Sequence, residues 1–157
     1  MIRRATAADA DAIAAIWNPI IRDSTITFTT EEKTAEGLRA RIASEPVFVA
    51  EDGTGAVAGF AVYFPFRGGP GYRFTMEHSI NLAPAARGQG IGRALLAAVE
   101  GHARDAGVVS MFAGVSAENA AGIAFHARAG YAEAARLPRV GHKFGRFLDL
   151  VLMRKFL

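Results

Sequence analysis

Leu82-Ala83-Pro84-Ala85-Ala86-Arg87-Gly88-Gln89-Gly90-Ile91-Gly92 is the stretch that decides how this chain folds and what it can hold. Glycines at alternate positions, followed by good helix formers through Ala106, predict a turn that carries a strand into a helix. Glycine lets the backbone approach a ligand closely, and free N–H groups at a helix start form an anion site favoured by the helix dipole. A pyrophosphate is the natural guest. A nucleotide-hydrolase phosphate loop would need Gly-Lys-Ser/Thr, whereas Gly92 is followed by Arg93-Ala94. The dinucleotide fingerprint needs G-x-G-x-x-G after the first strand, and this is G-x-G-x-G in mid-chain. Two readings remain: a turn that merely starts a helix, and a diphosphate cradle of another kind, which the flanking Arg87 favours.

Working outward, Tyr72–Leu82 reads as the strand before the loop, with Thr75, Glu77 and Ser79 alternating against Met76, His78 and Ile80. Gly107 should end the helix, and Val108–Val115 is a buried type of strand. Asn119 stands near the start of a further helix ending at Ala129-Gly130. Tyr131–Leu137 and Phe147–Lys155 supply two last strands, with 138–146 left as loop. Upstream, Ile2–Ala5 is a short strand, and Thr6 with Asp9 at capping-box spacing opens a helix carrying Ile13, Ile16, Trp17 and Ile20. Pro19 and the Ser/Thr-rich residues after it should break that helix into a polar loop over 18–30. Residues 31–43 read as a second helix, and Val47–Glu51 and Ala56–Phe64 as a hairpin around Asp52-Gly53-Thr54-Gly55. The order βα(α)ββ, then βαβαββ, predicts an α/β (α+β) fold, a mixed central sheet flanked by helices, in one domain over 1–157.

Composition bounds the function. The 157 residues are 51% hydrophobic and 21% charged, enough for one proper core. The chain has no cysteine, which excludes disulfides, thiolate metal sites and a cysteine nucleophile. The longest apolar stretch, Ala56–Phe66, is far short of the roughly 20 residues that span a membrane, and Asp9 and Asp11 interrupt any secretory-signal pattern. A soluble cytoplasmic protein without membrane attachment is expected. Residues 1–86 hold 8 basic and 10 acidic side chains, and 87–157 hold 10 and 5. The basic half could attract a phosphorylated cofactor, but its charges are scattered and no aromatic-interleaved stripe points to nucleic acid. His78, His102 and His142 show no metal-ligand spacing, so no metal is expected.

With the loop and this order of elements in hand, L-x-P-x-x-R-G-x-G-I-G-x-x-L-L resembles the acyl-CoA pyrophosphate loop of the GNAT N-acetyltransferase superfamily. Phe74-Thr75-Met76-Glu77-His78-Ser79 resembles the central-strand motif of its phosphinothricin and methionine sulfone/sulfoximine acetyltransferases. Asn119 with His126 seven residues on, then Gly130-Tyr131, resembles their next helix. Gly141, Lys143, Gly145, Arg146 and Asp149 resemble their tail, with Phe147 where a Trp is expected. The likeness covers most of the chain, and four motifs together are far more specific than the loop alone.

The resemblance implies a GNAT acyl-CoA N-acyltransferase fold, acetyl-CoA as co-substrate and a homodimer. It implies cofactor contacts from the main chain of Ile80, Asn81 and Leu82, where the strand splays. Arg87, Gly88, Gln89, Gly90, Ile91 and Gly92 would grip the diphosphate, and Asn119 the pantetheine arm. Asn119 also suits a helix cap, and the two roles are compatible. Acetyl transfer to an amine needs a base for the ammonium, and Glu77, on the strand just before the loop, is the candidate; a solvent-facing ion pair is its alternative. The departing thiolate benefits from a proton, and His126 stands where many relatives carry a Tyr thought to supply it; a packed, satisfied imidazole is the alternative. Arg67 and Arg73, close to Glu77 in sequence, could clamp an acceptor carboxylate, and Phe28 could wall the acceptor pocket. Tyr131 reads as core, and Lys143, Arg146 and Asp149 as pocket rim or subunit interface. The resemblance implies the α-amine of a small amino acid or analogue, of the phosphinothricin, methionine sulfone or methionine sulfoximine kind, as acceptor, and transfer is direct, since no covalent nucleophile is evident. A polyamine, an aminoglycoside or a protein amine is the alternative acceptor, and a non-catalytic acyl-CoA-binding module the alternative class.

Overall fold

The computed structural model describes residues 1–157, and a seven-stranded sheet runs through it in the order β1-β2-β3-β4-β5-β7-β6. The strands are β1 (Ile2–Arg4), β2 (Val47–Glu51), β3 (Val57–Pro65), β4 (Thr75–Leu82), β5 (Ser110–Ser116), β6 (Ala132–Lys143) and β7 (Arg146–Phe156). The helices are α1 (Ala10–Asp23), α2 (Ala35–Ser44), α3 (Ile91–Asp105) and α4 (Ala120–Arg128). Every neighbouring pair is antiparallel except β4 with β5, which is parallel, as its crossover through α3 requires.

Helices cover both faces. On one, Ile13, Trp17 and Ile21 of α1 and Leu38 of α2 pack on Val49, Phe60 and Val62. On the other, Leu95, Leu96 and Val99 of α3 pack on Ala61, Met111, Val115 and Val151. No helix is long and apolar enough to cross a membrane.

Two expectations from the sequence are corrected. Pro19 does not end α1, which continues to Asp23 with the proline inside it. A proline within a helix costs about 3 kcal/mol. Against that, Ile21 is fully buried, a burial worth about 1.5–3 kcal/mol. Trp17 packs on Phe60 with ring centroids 4.8 Å apart, and Asn18 exchanges hydrogen bonds with the backbone of Lys33 in both directions (2.7 and 3.0 Å). Packing therefore carries the helix past the break. The second correction is at 138–146, where β6 runs on to Lys143 through an irregularity between Leu137 and Gly141. There Arg139 takes a positive φ of 57° and its N–H donates to Asp149 Oδ1 at 2.9 Å. Pro138, within that irregularity, bulges the strand instead of ending it.

Elsewhere the local signals hold apart from two element starts: β4 begins at Thr75 and not at Tyr72, because Pro70–Tyr72 form a 3₁₀ turn. Thr6 and Asp9 form the capping box, which opens a short 3₁₀ turn leading into α1. The second helix starts later than expected, at Ala35, because Thr34 caps it by accepting from the Gly37 N–H at 3.1 Å.

Candidate active site

β4 pairs with β5 only over Thr75–His78 and then diverges from it, while its pairing with β3 continues to Leu82. Beyond His78, main-chain groups on the β5 side of β4 have no strand partner and face a cleft. Two adjoining cavities open there. One, about 230 Å³, is lined by Glu77, Ser79, Gly114, Ser116 and the Ile26–Phe28 segment. The other, about 330 Å³, is lined by Leu82, Arg87, Gly88, Gly92, Gly122 and Phe125. Ile26, Ile80, Asn81, Asn119 and His126 belong to both.

The glycine loop lies at the second cavity. Gly88 and Gly90 have φ of 73° and 81°, a region open to glycine and costly for other residues. Gly90 immediately precedes α3 and supplies no side-chain cap, and the first turn holds no acidic residue. The first N–H groups of α3 are thus available to an anion, with the positive end of the helix dipole behind them. A Cβ on Gly92 would lie 3.3 Å from the Phe125 ring, so glycine here lets α3 close on α4. Gln89 turns back, its amide donating to Ala85 O at 2.7 Å, and so shapes the loop from within. Ile91 packs against the α3 core. These residues fit a diphosphate.

Glu77 sits at the first cavity. Met76, Ile80 and Leu82 pack into the α3 core, so strand alternation turns Glu77 to the opposite face. Its carboxyl makes no ion pair, and burial alone pushes its pKa up from the ordinary carboxylate value. Gly114 on β5 makes room for it: a Cβ there would lie 2.8 Å from Glu77 Oε1. Gly114 was not among the sequence candidates, although a glycine inside a buried strand signals a close approach of another group.

His126 has a partner that sequence did not show. Its Nε2 lies 3.0 Å from Nε2 of His78, and its Nδ1 lies 2.8 Å from Gly122 O. A carbonyl only accepts, so assigning hydrogens from this network puts the proton of neutral His126 on Nδ1. Its Nε2 then accepts from His78. Desolvation holds both imidazoles below the ordinary histidine value, His78 at about 3. Tyr131, buried as expected, packs edge-on to both rings. In this neutral state His126 has no hydrogen free for a leaving group.

Asn119 caps α4, its Oδ1 accepting from the Gly122 N–H at 2.9 Å, and so sits at the junction of the cavities. Phe28 lines the first cavity. Arg67 and Arg73 do not. Both are exposed on the turn before β4, their guanidiniums over the rings of Phe66 (5.9 Å) and Phe74 (4.5 Å), outside the lining of the cavity that holds Glu77. Lys143 points inward, donating to Ser24 O and Thr27 O, while Arg146 pairs with Glu118 beside Asn119.

Comparison with known proteins agrees with this geometry. The acetyltransferase (GNAT) family pattern matches residues 13–131. The chain is 38% identical to the L-methionine sulfoximine/L-methionine sulfone acetyltransferase of Salmonella typhimurium, over 98% of this chain and 92% of that one. Among solved structures, a ribosomal-protein-alanine N-acetyltransferase from Brucella melitensis superposes with a TM-score of 0.93 at 42% identity, covering 100% and 99% of the two chains. A phosphinothricin acetyltransferase from Sinorhizobium meliloti, in complex with acetyl-CoA, superposes with a TM-score of 0.94 at 33% identity, covering 100% and 88%.

Proposed function

The chain belongs to the acetyltransferase (GNAT) family, and from that premise we propose that it moves the acetyl group of acetyl-CoA directly onto the α-amine of a small amino acid or analogue, of the methionine sulfoximine, methionine sulfone or phosphinothricin kind. The observation that carries this reading is a half-buried, unpaired carboxylate, Glu77, at the point where β4 leaves β5 and beside a glycine-opened helix N-terminus.

In this scheme Arg87 and the Gly88–Gly92 backbone hold the diphosphate, and the Asn119 amide and main chain of Ile80–Leu82 hold the pantetheine arm. Unpaired N–H groups of the diverging strand stabilise the negative charge that develops on the thioester carbonyl oxygen. Glu77 accepts the ammonium proton, directly or through water, and the freed amine attacks the carbonyl carbon. The C–N bond forms, the C–S bond breaks, and the second amine proton also leaves. One proton ends on the thiol and one is released. His126 can give the thiol its proton only after the His78–His126 pair has gained one; otherwise solvent supplies it, since the thiol pKa is near 8.5.

The likeness to the Brucella ribosomal-protein-alanine N-acetyltransferase favours one second reading, an α-amine at a protein N-terminus. Both acceptors share the α-amine, and only the free amino acid carries an α-carboxylate next to it. A thiol-release assay with acetyl-CoA tests this, run over amino acids, methionine sulfone, phosphinothricin, polyamines, aminoglycosides and an alanine-terminated peptide. Turnover with the amino acid analogues alone is the expected result. Turnover with the peptide alone overturns it, and thiol release with none of them points to a non-catalytic acyl-CoA-binding module.

The same proposal takes 1–157 as a single catalytic domain, cytoplasmic and homodimeric. Its apolar, exposed Val140, Phe144 and Phe147 on the last hairpin support self-association, and a composition without cysteine suits a reducing compartment.

A further inference from the structure

The wall of the acceptor cavity is a piece of chain without regular secondary structure. Residues 24–34 contain no helix or strand, yet Ile26, Thr27 and Phe28 line the cavity that holds Glu77. Ser24 Oγ ties its start locally, donating to Ile20 O at 2.7 Å and accepting from the Ile26 N–H at 3.3 Å, and the remaining ties come from the far end of the sequence. Lys143 Nζ donates to Ser24 O at 2.6 Å and to Thr27 O at 2.8 Å, bracketing Ile26. The Lys143 side chain is fully buried and makes no ion pair with a carboxylate, so these two carbonyls are its main compensation. Two residues earlier on β6, Gly141 lies against Phe28, and a Cβ there would overlap the Phe28 ring. Arg146, just past the hairpin turn, grips Glu118 with both guanidinium nitrogens (2.6 and 3.0 Å), and Glu118 accepts from Thr25 Oγ1 at 3.0 Å. Gly141 and Lys143 of one hairpin thus touch one five-residue stretch, and Arg146 reaches it through Glu118.

We propose that Gly141 and Lys143 are positioning residues that set acceptor specificity by fixing the Ile26–Phe28 wall. The inference rests on reading that cavity as the acceptor site. Gly141 leaves the space the Phe28 ring occupies, and Lys143 sets the backbone on either side of Ile26. Neither lines the cavity, so both act through the wall. Phe28 lines only the acceptor cavity whereas Ile26 lines both, so Gly141, acting through Phe28, is the residue whose effect should leave acetyl-CoA binding alone.

The test is a double-mutant cycle with methionine sulfone as the probe acceptor, reading kcat, acceptor KM and the Kd of acetyl-CoA by calorimetry. Gly141→Ala is expected to raise acceptor KM at least about tenfold, since misplacing a substrate-contacting group by about 1 Å can cost 10²-fold. The Kd of acetyl-CoA should stay within about twofold. Phe28→Ala should raise KM similarly, and the double variant should be no worse than Phe28→Ala alone, because the ring that the added methyl would strike is gone. Lys143→Met should split KM from kcat the same way, with Lys143→Arg partly restoring KM. If Lys143→Met does not fold, the Gly141/Phe28 cycle decides alone. An unchanged acceptor KM in Gly141→Ala, or Gly141 and Phe28 effects that multiply, overturns the inference while leaving the enzyme reading intact. A wild-type protein that acetylates no amine overturns both.

Discussion

Nε2 of His78 and Nε2 of His126 lie 3.0 Å apart in the interior, and one arrangement of hydrogens satisfies that contact. Gly122 O fixes the proton of His126 on Nδ1, His78 donates from Nε2, and His78 Nδ1 is left buried without a partner. The pair therefore titrates as one unit, and an added proton has no ready acceptor on the His78 side.

Stability should consequently fall on acidification below pH 6.5. Both folded pKa values are lowered, so the unfolded chain binds the protons first, and stability present above 6.5 is lost as pH falls toward about 3. Each proton taken up on unfolding is worth about 1.4 kcal/mol per pH unit. Glu77, whose folded pKa is raised, opposes this in the lower part of the window. The comparison that isolates the pair is His78→Gln, which keeps a donor for His126 and cannot titrate. Urea midpoints measured at pH 7 and pH 5 should converge for the variant relative to wild type, and parallel midpoints would refute the pairing.

Glu77 and His126 should differ sharply in kinetics. Glu77→Gln removes the base while keeping size, and general-base catalysis is typically worth 10²–10⁴-fold, so kcat should fall by about that factor. Acetyl-CoA affinity, measured by calorimetry, should change little. In wild type, kcat/KM should rise with pH through an apparent pKa above 4.5, since burial raises the group that must be ionised. With its nitrogens already engaged, His126 exchanged for Gln should cost kcat less than about tenfold. A loss as large as that of Glu77→Gln would mean that the pair is charged in the working enzyme.

Gly114 offers a way to move Glu77 without touching its charge. A methyl there would stand 2.8 Å from Glu77 Oε1, and the carboxyl must yield because the backbone on the other side is locked into the β5–β7 ladder. Gly114→Ala should lower kcat by about 10–10²-fold, with a folded protein and unaltered acetyl-CoA binding. Unaltered kcat would remove Glu77 from the reaction more convincingly than any change to Glu77 itself, because the base would have moved at no cost.

The sequence carried the local features well and the distant ones poorly. Period-two alternation in Thr75–Leu82 put Glu77 and His78 on opposite faces, and three alternating glycines located the α3 N-terminus, because both signals lie within one element. The His78–His126 pair spans 48 residues, and the Lys143 contacts with Ser24 and Thr27 span 119 and 116, so no local pattern announces them. Pro19 misled because its cost is local whereas the burial of Ile21 that outweighs it is tertiary. Arg67 and Arg73 were grouped with Glu77 by proximity in sequence, but the 3₁₀ turn at Pro70–Tyr72 leaves both exposed, outside the lining of the cavity.

The glycine loop gives the sharpest separation of binding from chemistry. Gly88 and Gly90 both take the left-handed backbone, which costs another residue roughly 1–2 kcal/mol, and neither has a neighbour that an added methyl would strike. Alanine at either position therefore distorts the backbone without crowding, and the loss should fall on whatever ligand the turn's N–H groups hold. Gly90→Ala, immediately before α3, should weaken acetyl-CoA binding at least about tenfold by calorimetry. kcat at saturating acetyl-CoA should stay within about threefold, because Glu77 lies in the other cavity. Desulfo-CoA, which keeps the diphosphate and lacks the thioester, should lose affinity by the same factor. If only acetyl-CoA weakens and desulfo-CoA does not, the turn serves the acyl end, and the anion would have to sit on another helix start.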